Sequence, residues 1–170
     1  EEPVDVMTAL AGLPEGYVAR EAHWDDPDVV ALRAAMGAEV MPLYADDDLS
    51  QQKVSPPSAD DVIVTLALSA GDGPAVATAS LVRVGEFTEL KRVMVLPEHR
   101  RKGLASWLVA AIEDHARRLG LDRIVLQTGF RQTGAIALYE ASGWTRIPPF
   151  GPYAGDEVVG VCFAKELRDG

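Results

Sequence analysis

Apolar residues recur along this chain at two spacings, and the places where the spacing changes divide it into elements. After Asp25-Asp26-Pro27, a helix-start signal, Val29, Leu32, Met36 and Val40 recur every three to four positions, which predicts a helix to about Val40. Leu104, Leu108, Ala111, Ile112 and Leu119 repeat the same rhythm and predict a second helix from about Gly103 to Leu119, with Gly120 placed to cap it. Thr133 to Ala141 reads as a shorter third helix closed by Gly143. Between these lie runs with strand character: Gly16 to His23, Val62 to Ala70, Ala75 to Val84, Phe87 to Leu96, Arg123 to Thr128, Trp144 to Ile147 and Val158 to Leu167. VIVTLALSA (62 to 70) is apolar on both faces, as a strand covered on both sides requires.

The punctuation fixes how these elements connect. Gly71-Asp72-Gly73-Pro74 and Gly85-Glu86 are tight turns, so the three strands from Val62 to Leu96 form an antiparallel meander that Pro97 ends. The β-α-β stretch from Phe87 to Thr128 calls for one parallel pair with a right-handed crossover. An α/β (α+β) fold follows, with a mixed sheet of six to seven mostly antiparallel strands and helices on both faces. Met41 to Asp61, with its three prolines, three consecutive aspartates and a Ser-Pro-Pro, reads as a long irregular connection with room for one short helix.

Composition narrows the function. At 170 residues, 48% hydrophobic and 25% charged, the chain suits one folded domain over 1–170, with 1–15 a flexible or peripheral segment. A formal net charge of −10 argues against nucleic acid as a partner. No apolar run is long enough to span a membrane, and the first residues lack the basic and apolar regions of a signal peptide. The one cysteine, Cys162, reads as a small buried hydrophobe and fits the reducing cytoplasm. His23, His99 and His115 have no metal-ligand spacing, so no metal is expected.

Against that acidic background, the densest positive cluster, Arg100, Arg101 and Lys102, sits directly before Gly103 and a helix start. A helix N-terminus offers unpaired N–H groups and a partial positive charge, and a glycine lets a ligand approach the backbone. Cations there are unfavourable to the helix itself, so the cluster reads as a local trap for a phosphate or pyrophosphate. Neither G-x-x-x-x-G-K-[ST] nor G-x-G-x-x-G is present, which disfavours the other phosphate-binding α/β domains.

VMVLPEHRRKGLA, with Arg100, Gly103 and Ala105 in the fixed places, resembles the R/Q-x-x-G-x-G/A turn of the GNAT superfamily of N-acetyltransferases. RQTGAIALYEASGW (131 to 144) is similar to the family's N-x-x-A-x-x-L-Y-x-x-x-G-F segment through Ala135, Leu138, Tyr139 and Gly143, with Gln132 in place of Asn and Trp144 in place of Phe. The resemblance spans roughly Gly16 to Leu167, with the specific motifs between Glu89 and Trp144. It implies acetyl-CoA as cosubstrate. Its pyrophosphate would rest on the backbone of Arg100, Arg101, Lys102, Gly103, Leu104 and Ala105. Its pantetheine would pair with Val93, Met94 and Val95 in a gap between splayed strands, and Gln132 stands at a further cofactor position.

The same resemblance implies the chemistry. Tyr139 would donate a proton to the leaving thiolate. An amide of Met94 or Val95 would hold the thioester carbonyl. Glu89 stands where several family members carry a base, and equally reads as a strand charge paired with Lys91 or Arg92; alternation places Glu89, Lys91, Val93 and Val95 on one strand face. The family's acceptor regions correspond to Met36 to Leu49 and Pro148 to Asp156. Their Glu39, Tyr44, Asp46, Asp47, Asp48, Phe150 and Tyr153, with Asp156 and Glu157, favour a cationic amine on a small molecule or peptide. The expected activity is direct acetyl transfer to a primary amine in a ternary complex. The alternative is a non-enzymatic acyl-CoA-binding or regulatory module on the same fold. The oligomeric state is open between monomer and homodimer.

Overall fold

The computed structural model describes residues 12–47, 56–154 and 160–168. They form one seven-stranded sheet in the order β1-β2-β3-β4-β5-β7-β6. The strands are β1 (Tyr17–Ala22), β2 (Val62–Ala70), β3 (Ala75–Val84), β4 (Phe87–Val95), β5 (Arg123–Gly129), β6 (Thr145–Ile147) and β7 (Gly160–Glu166). The helices are α1 (Pro27–Val40), α2 (Leu104–Arg118) and α3 (Thr133–Ala141). Every neighbouring pair is antiparallel except β4 and β5, whose single parallel register pair is Glu89 with Val125. Within the irregular connection the described residues hold two 3-10 turns, Met41–Tyr44 and Ala59–Asp61. Most of the N-terminal segment expected to be peripheral lies outside the described residues.

The helix ends follow local chemistry. Asp26 caps α1 by accepting from the Asp28 amide at 2.9 Å, with Pro27 in the first turn where its missing N–H costs nothing. At the end of α2, Leu121 N donates to Ala116 O and Gly120 N to Arg117 O, the two bonds of a Schellman cap.

Two layers cover the sheet. On one face α2 and α3 pack Leu104, Leu108, Ile112 and Tyr139 against Leu66, Leu81, Ile124 and Phe163. On the other, α1 packs Val29 and Leu32 against Ala67 and Met94, and the turn at Gly151–Tyr153 brings Phe150 and Tyr153 onto Val125 and Cys162. β2 is therefore covered on both sides. Inside the first layer Glu113 is buried but satisfied: it accepts from Trp144 Nε1 at 3.1 Å and pairs with Lys165 Nζ at 2.8 Å.

One expectation about β4 fails. Ser80 faces Lys91 while Thr78 faces Met94, so Arg92 and Val93 together oppose one residue of β3, and Arg92 has φ 60°. This bulge shifts the alternation. Glu89 and Lys91 face Tyr153 on the α1 side, while Val93 and Val95 pack with the α2 core. The four residues do not share a face.

Candidate active site

Beyond Glu89, β4 and β5 part, and β4 has no further ladder partner on that side. The gap opens into two adjoining cavities. One, of about 560 Å³, runs from the turn after β4 to Val93 and Tyr139. The other, of about 540 Å³, lies between Lys91 and Arg92 of β4, Tyr44 and Asp47 of the connection, and Thr128 of β5. Val93, Gln132, Ala135 and Tyr139 belong to the walls of both, so they mark where the cavities meet.

The turn at the far end of the first cavity is rich in free donors. Arg101 and Gly103 both have left-handed backbones, φ 64° and 81°. No side chain caps α2. Among the described residues, none of the amides from Arg101 to Ser106 donates to a protein acceptor, and Trp107 N to Gly103 O at 3.0 Å is the first helical bond. Gly103, Leu104 and Ala105 line the cavity. An anion laid here would meet several N–H groups and the positive end of a fifteen-residue helix. Arg101 and Lys102 are exposed and have no ion pair among the described residues. The Arg100 side chain turns elsewhere: it forks onto Glu39 with two 2.7 Å bonds and donates Nε to Val95 O at 2.8 Å, tying the turn to α1 and to the end of β4. His99 is likewise committed, its Nδ1 2.7 Å from Tyr17 Oη.

Tyr139 is buried where the cavities meet. Its ring is edge-on to Trp144 and tilted against Phe163, at centroid distances of 5.8 and 5.9 Å. Its hydroxyl makes no hydrogen bond among the described residues. Burial raises its pKa above the ordinary phenol value, so it stays a neutral donor at working pH. Gln132 also borders both cavities, but its Oε1 accepts from the Gly129 amide at 3.0 Å and closes the loop between β5 and α3. Gly129 itself has no room for a side chain: a Cβ there would lie 1.8 Å from Tyr44 Oη. That hydroxyl accepts from the Arg131 amide at 3.0 Å, so Tyr44 fixes one rim of the second cavity.

Glu89 lies behind the cavity wall rather than on it. It is 1% exposed, and Oε2 accepts from Tyr153 Oη at 2.7 Å with Lys91 Nζ 3.4 Å away. Lys91 Nζ also donates to Tyr153 Oη at 2.7 Å, and Lys91 does line the cavity. Oε1 is buried without a partner. Burial pushes the Glu89 carboxyl above the usual carboxylate range against the pull of Lys91, and burial lowers Lys91 in turn. The strand spacing allowed for a Glu89–Lys91 pair; that Tyr153, 64 residues away, completes it had no signal beyond the place of that tyrosine in the acceptor loop.

Of the acidic side chains expected to meet an amine, Glu39, Asp46 and Asp47 are described; Asp46 is exposed and the other two are paired. Glu39 pairs with Arg100 and Asp47 with Arg131. Phe150 and Tyr153 are core residues beneath Glu89 rather than cavity lining. Asp48, Asp156 and Glu157 lie outside the described residues. Among the described residues no group of acidic, His or Cys side chains could hold a metal, and no helix is long and apolar enough to cross a membrane.

Comparison with known proteins adds to this geometry. The chain is 31% identical over 147 residues to an IAA acetyltransferase of Azospirillum brasilense, across 85% of this chain and 94% of that protein. Its fold superposes with a TM-score of 0.73 on a Klebsiella pneumoniae protein described as an acyl-CoA N-acyltransferase, at 35% identity over 89% of this chain and 98% of the other. A GNAT acetyltransferase from Elizabethkingia anophelis, solved with acetyl-CoA bound, shares the fold at a TM-score of 0.62 and 14% identity, over 90% of this chain and 99% of its own. The sequence pattern of the acetyltransferase (GNAT) family matches residues 29–144. The chain therefore belongs to the GNAT family of acetyltransferases.

Proposed function

We propose that this protein transfers an acetyl group from acetyl-CoA to a primary amine by direct attack in a ternary complex, in the cytoplasm where that thioester is available. The observation that carries this reading is the run of two cavities through the β4–β5 gap, with a donor-rich turn at one end and Tyr139 where they meet. Acetyl-CoA enters with its pyrophosphate on the amides of 101 to 106 and its pantetheine along the open edge of Val93, Met94 and Val95. The acetyl group then lies near Tyr139, and the amine approaches through the second cavity.

The chemistry needs a neutral amine, a polarised carbonyl and a stabilised thiolate. The amine nitrogen attacks the thioester carbon, a C–N bond forms, and the C–S bond breaks. An amide of Met94 or Val95 donates to the carbonyl oxygen, and Tyr139 gives its proton to the departing sulfur, while the second proton shed by the nitrogen as the amide forms restores the Tyr139 hydroxyl. The proton lost by the ammonium passes to Glu89, whose raised pKa suits the role; because Glu89 sits behind Lys91, that proton travels by a water relay. The alternative, an acyl-CoA-binding module without turnover, predicts cofactor affinity and no thiol release. Release of CoA thiol from acetyl-CoA, measured across a panel of primary amines, separates the two. Amine-dependent release supports the enzyme. Tight acetyl-CoA binding with no release from any amine supports the module.

The turn has its own test. A Cβ on Gly103 would meet no protein atom, but it would point from a left-handed backbone into the space assigned to pyrophosphate. Gly103→Val is expected to weaken acetyl-CoA binding by more than tenfold, about 1.4 kcal/mol. Calorimetry on protein shown by thermal unfolding to be folded checks this, and unchanged affinity would remove the turn from the site.

A further inference from the structure

Arg33 and Arg92 both border a third cavity, of about 470 Å³, together with Trp24 and Pro57. Arg92, Met36 and Val40 also border the cavity through which the amine is proposed to approach, so the two spaces adjoin. Neither arginine has an ion pair among the described residues. Arg33 lies 3.7 Å over the Trp24 ring and donates to Trp24 O at 2.7 Å, which holds it in place. Arg92 reaches its position from the β4 bulge, with the left-handed backbone that a side-chain-bearing residue adopts only at a cost. Burial, and then the charge of Arg92, lower the Arg33 pKa.

No described carboxylate lies within ion-pair distance of either arginine. Glu89 is held by Lys91 and Tyr153 and attracts Arg92 only from a distance, and Asp47 pairs with Arg131. Asp25 acts on Arg33 only from a distance and is itself mostly exposed. Two like charges beside one space, with no ion-pair partner among the described residues, fit an anionic ligand, and a planar guanidinium matches a carboxylate with two parallel hydrogen bonds.

We propose that the acceptor is an amine that also carries a carboxylate, which docks between Arg33 and Arg92 while its amino group reaches the Val93–Tyr139 junction. This rests on the amine-transfer reading above and names its substrate class. It adds a carboxylate to the cationic amine that the acidic loop residues suggested.

The test uses matched pairs that differ in the carboxylate alone: phenylalanine with phenethylamine, and 4-aminobutyrate with butylamine. In at least one pair the acid should have the higher kcat/KM by tenfold or more. Arg92→Asn should bring that ratio toward one through the KM of the acid, since asparagine tolerates a left-handed backbone. Arg92→Lys should restore part of it. Calorimetry of N-acetylphenylalanine and N-acetyl-4-aminobutyrate on CoA-loaded protein gives a readout without turnover. If no amine is acetylated but either acid binds in an Arg92-dependent way, amine transfer fails and the anion site stands. If amines turn over with no preference for the acids, the anion site fails and the transfer stands. Acid binding that Arg92→Asn leaves unchanged overturns the site whatever the turnover.

Discussion

Tyr139→Phe is expected to lower kcat by about 10²-fold, the ordinary worth of a positioned proton donor, while acetyl-CoA binding changes by less than about 1 kcal/mol, one net hydrogen bond. The substitution keeps the ring, and with it the contacts to Trp144 and Phe163 that seat α3 on the sheet. It removes one oxygen, which has no protein partner among the described residues. The fold therefore has little to lose, and the loss should fall on the step where negative charge reaches sulfur. A thiolate can leave unaided in water, where a thiol pKa is about 8.5. In a closed cleft its charge is poorly solvated, and the hydroxyl replaces the missing water. Steady-state kinetics with a good acceptor, set beside cofactor affinity, check the result. Full kcat would make Tyr139 a packing residue. Collapsed affinity with intact single-turnover chemistry would make it a cofactor contact.

The parts of this structure that were legible in the sequence are those written in short-range pattern. Strand and helix positions came within a residue or two because turns, caps and apolar periodicity are local: Thr133–Ala141 is α3 as expected, and Pro97 ends β4. The donor-rich turn before α2 was legible for the same reason, since a glycine, a helix start and free amides are all near neighbours. What was not legible depends on contacts across the sheet. Arg100 looked like a phosphate ligand, yet its side chain finds Glu39, 61 residues away. Gln132 looked like a cofactor residue and caps Gly129. The bulge at Arg92 has no glycine to announce it, and it reverses which residues face which layer. Simple alternation from Glu89 to Val95 therefore misplaced the lower half of the strand. The acidic loop residues suggested a cationic acceptor, and the sequence does not show that two of them, Glu39 and Asp47, pair with Arg100 and Arg131.

Lys91→Met is expected to destabilise the fold by about 3–5 kcal/mol at neutral pH, because it strands the Glu89 carboxylate in the core with Tyr153 as its one remaining donor among the described residues. The pH dependence gives the loss its signature. The folded-state pKa of Glu89 is already raised by burial and rises further without the lysine charge. A carboxyl whose folded pKa exceeds its unfolded value costs stability above the folded pKa. That cost shrinks as pH falls toward the unfolded value, about 4.3. Glu89→Gln should show the opposite trend. It leaves the Lys91 ammonium buried, and Lys91 is held below its ordinary pKa. Its cost should shrink as pH rises through the folded pKa toward about 10.4. The double variant Glu89→Gln/Lys91→Met removes both charges and should recover most of the stability, as neutral replacements of buried pairs commonly do. Urea unfolding of the four proteins from pH 5 to pH 9 measures this directly. Two single variants with small losses and the same pH trend would mean that the cluster is solvated, and Glu89 would then be free to meet the amine itself. Opposite trends would establish a dry ion pair that pins the Gly151–Tyr153 turn to β4 beside the bulge, so that any proton Glu89 takes must reach it through the wall of the cavity.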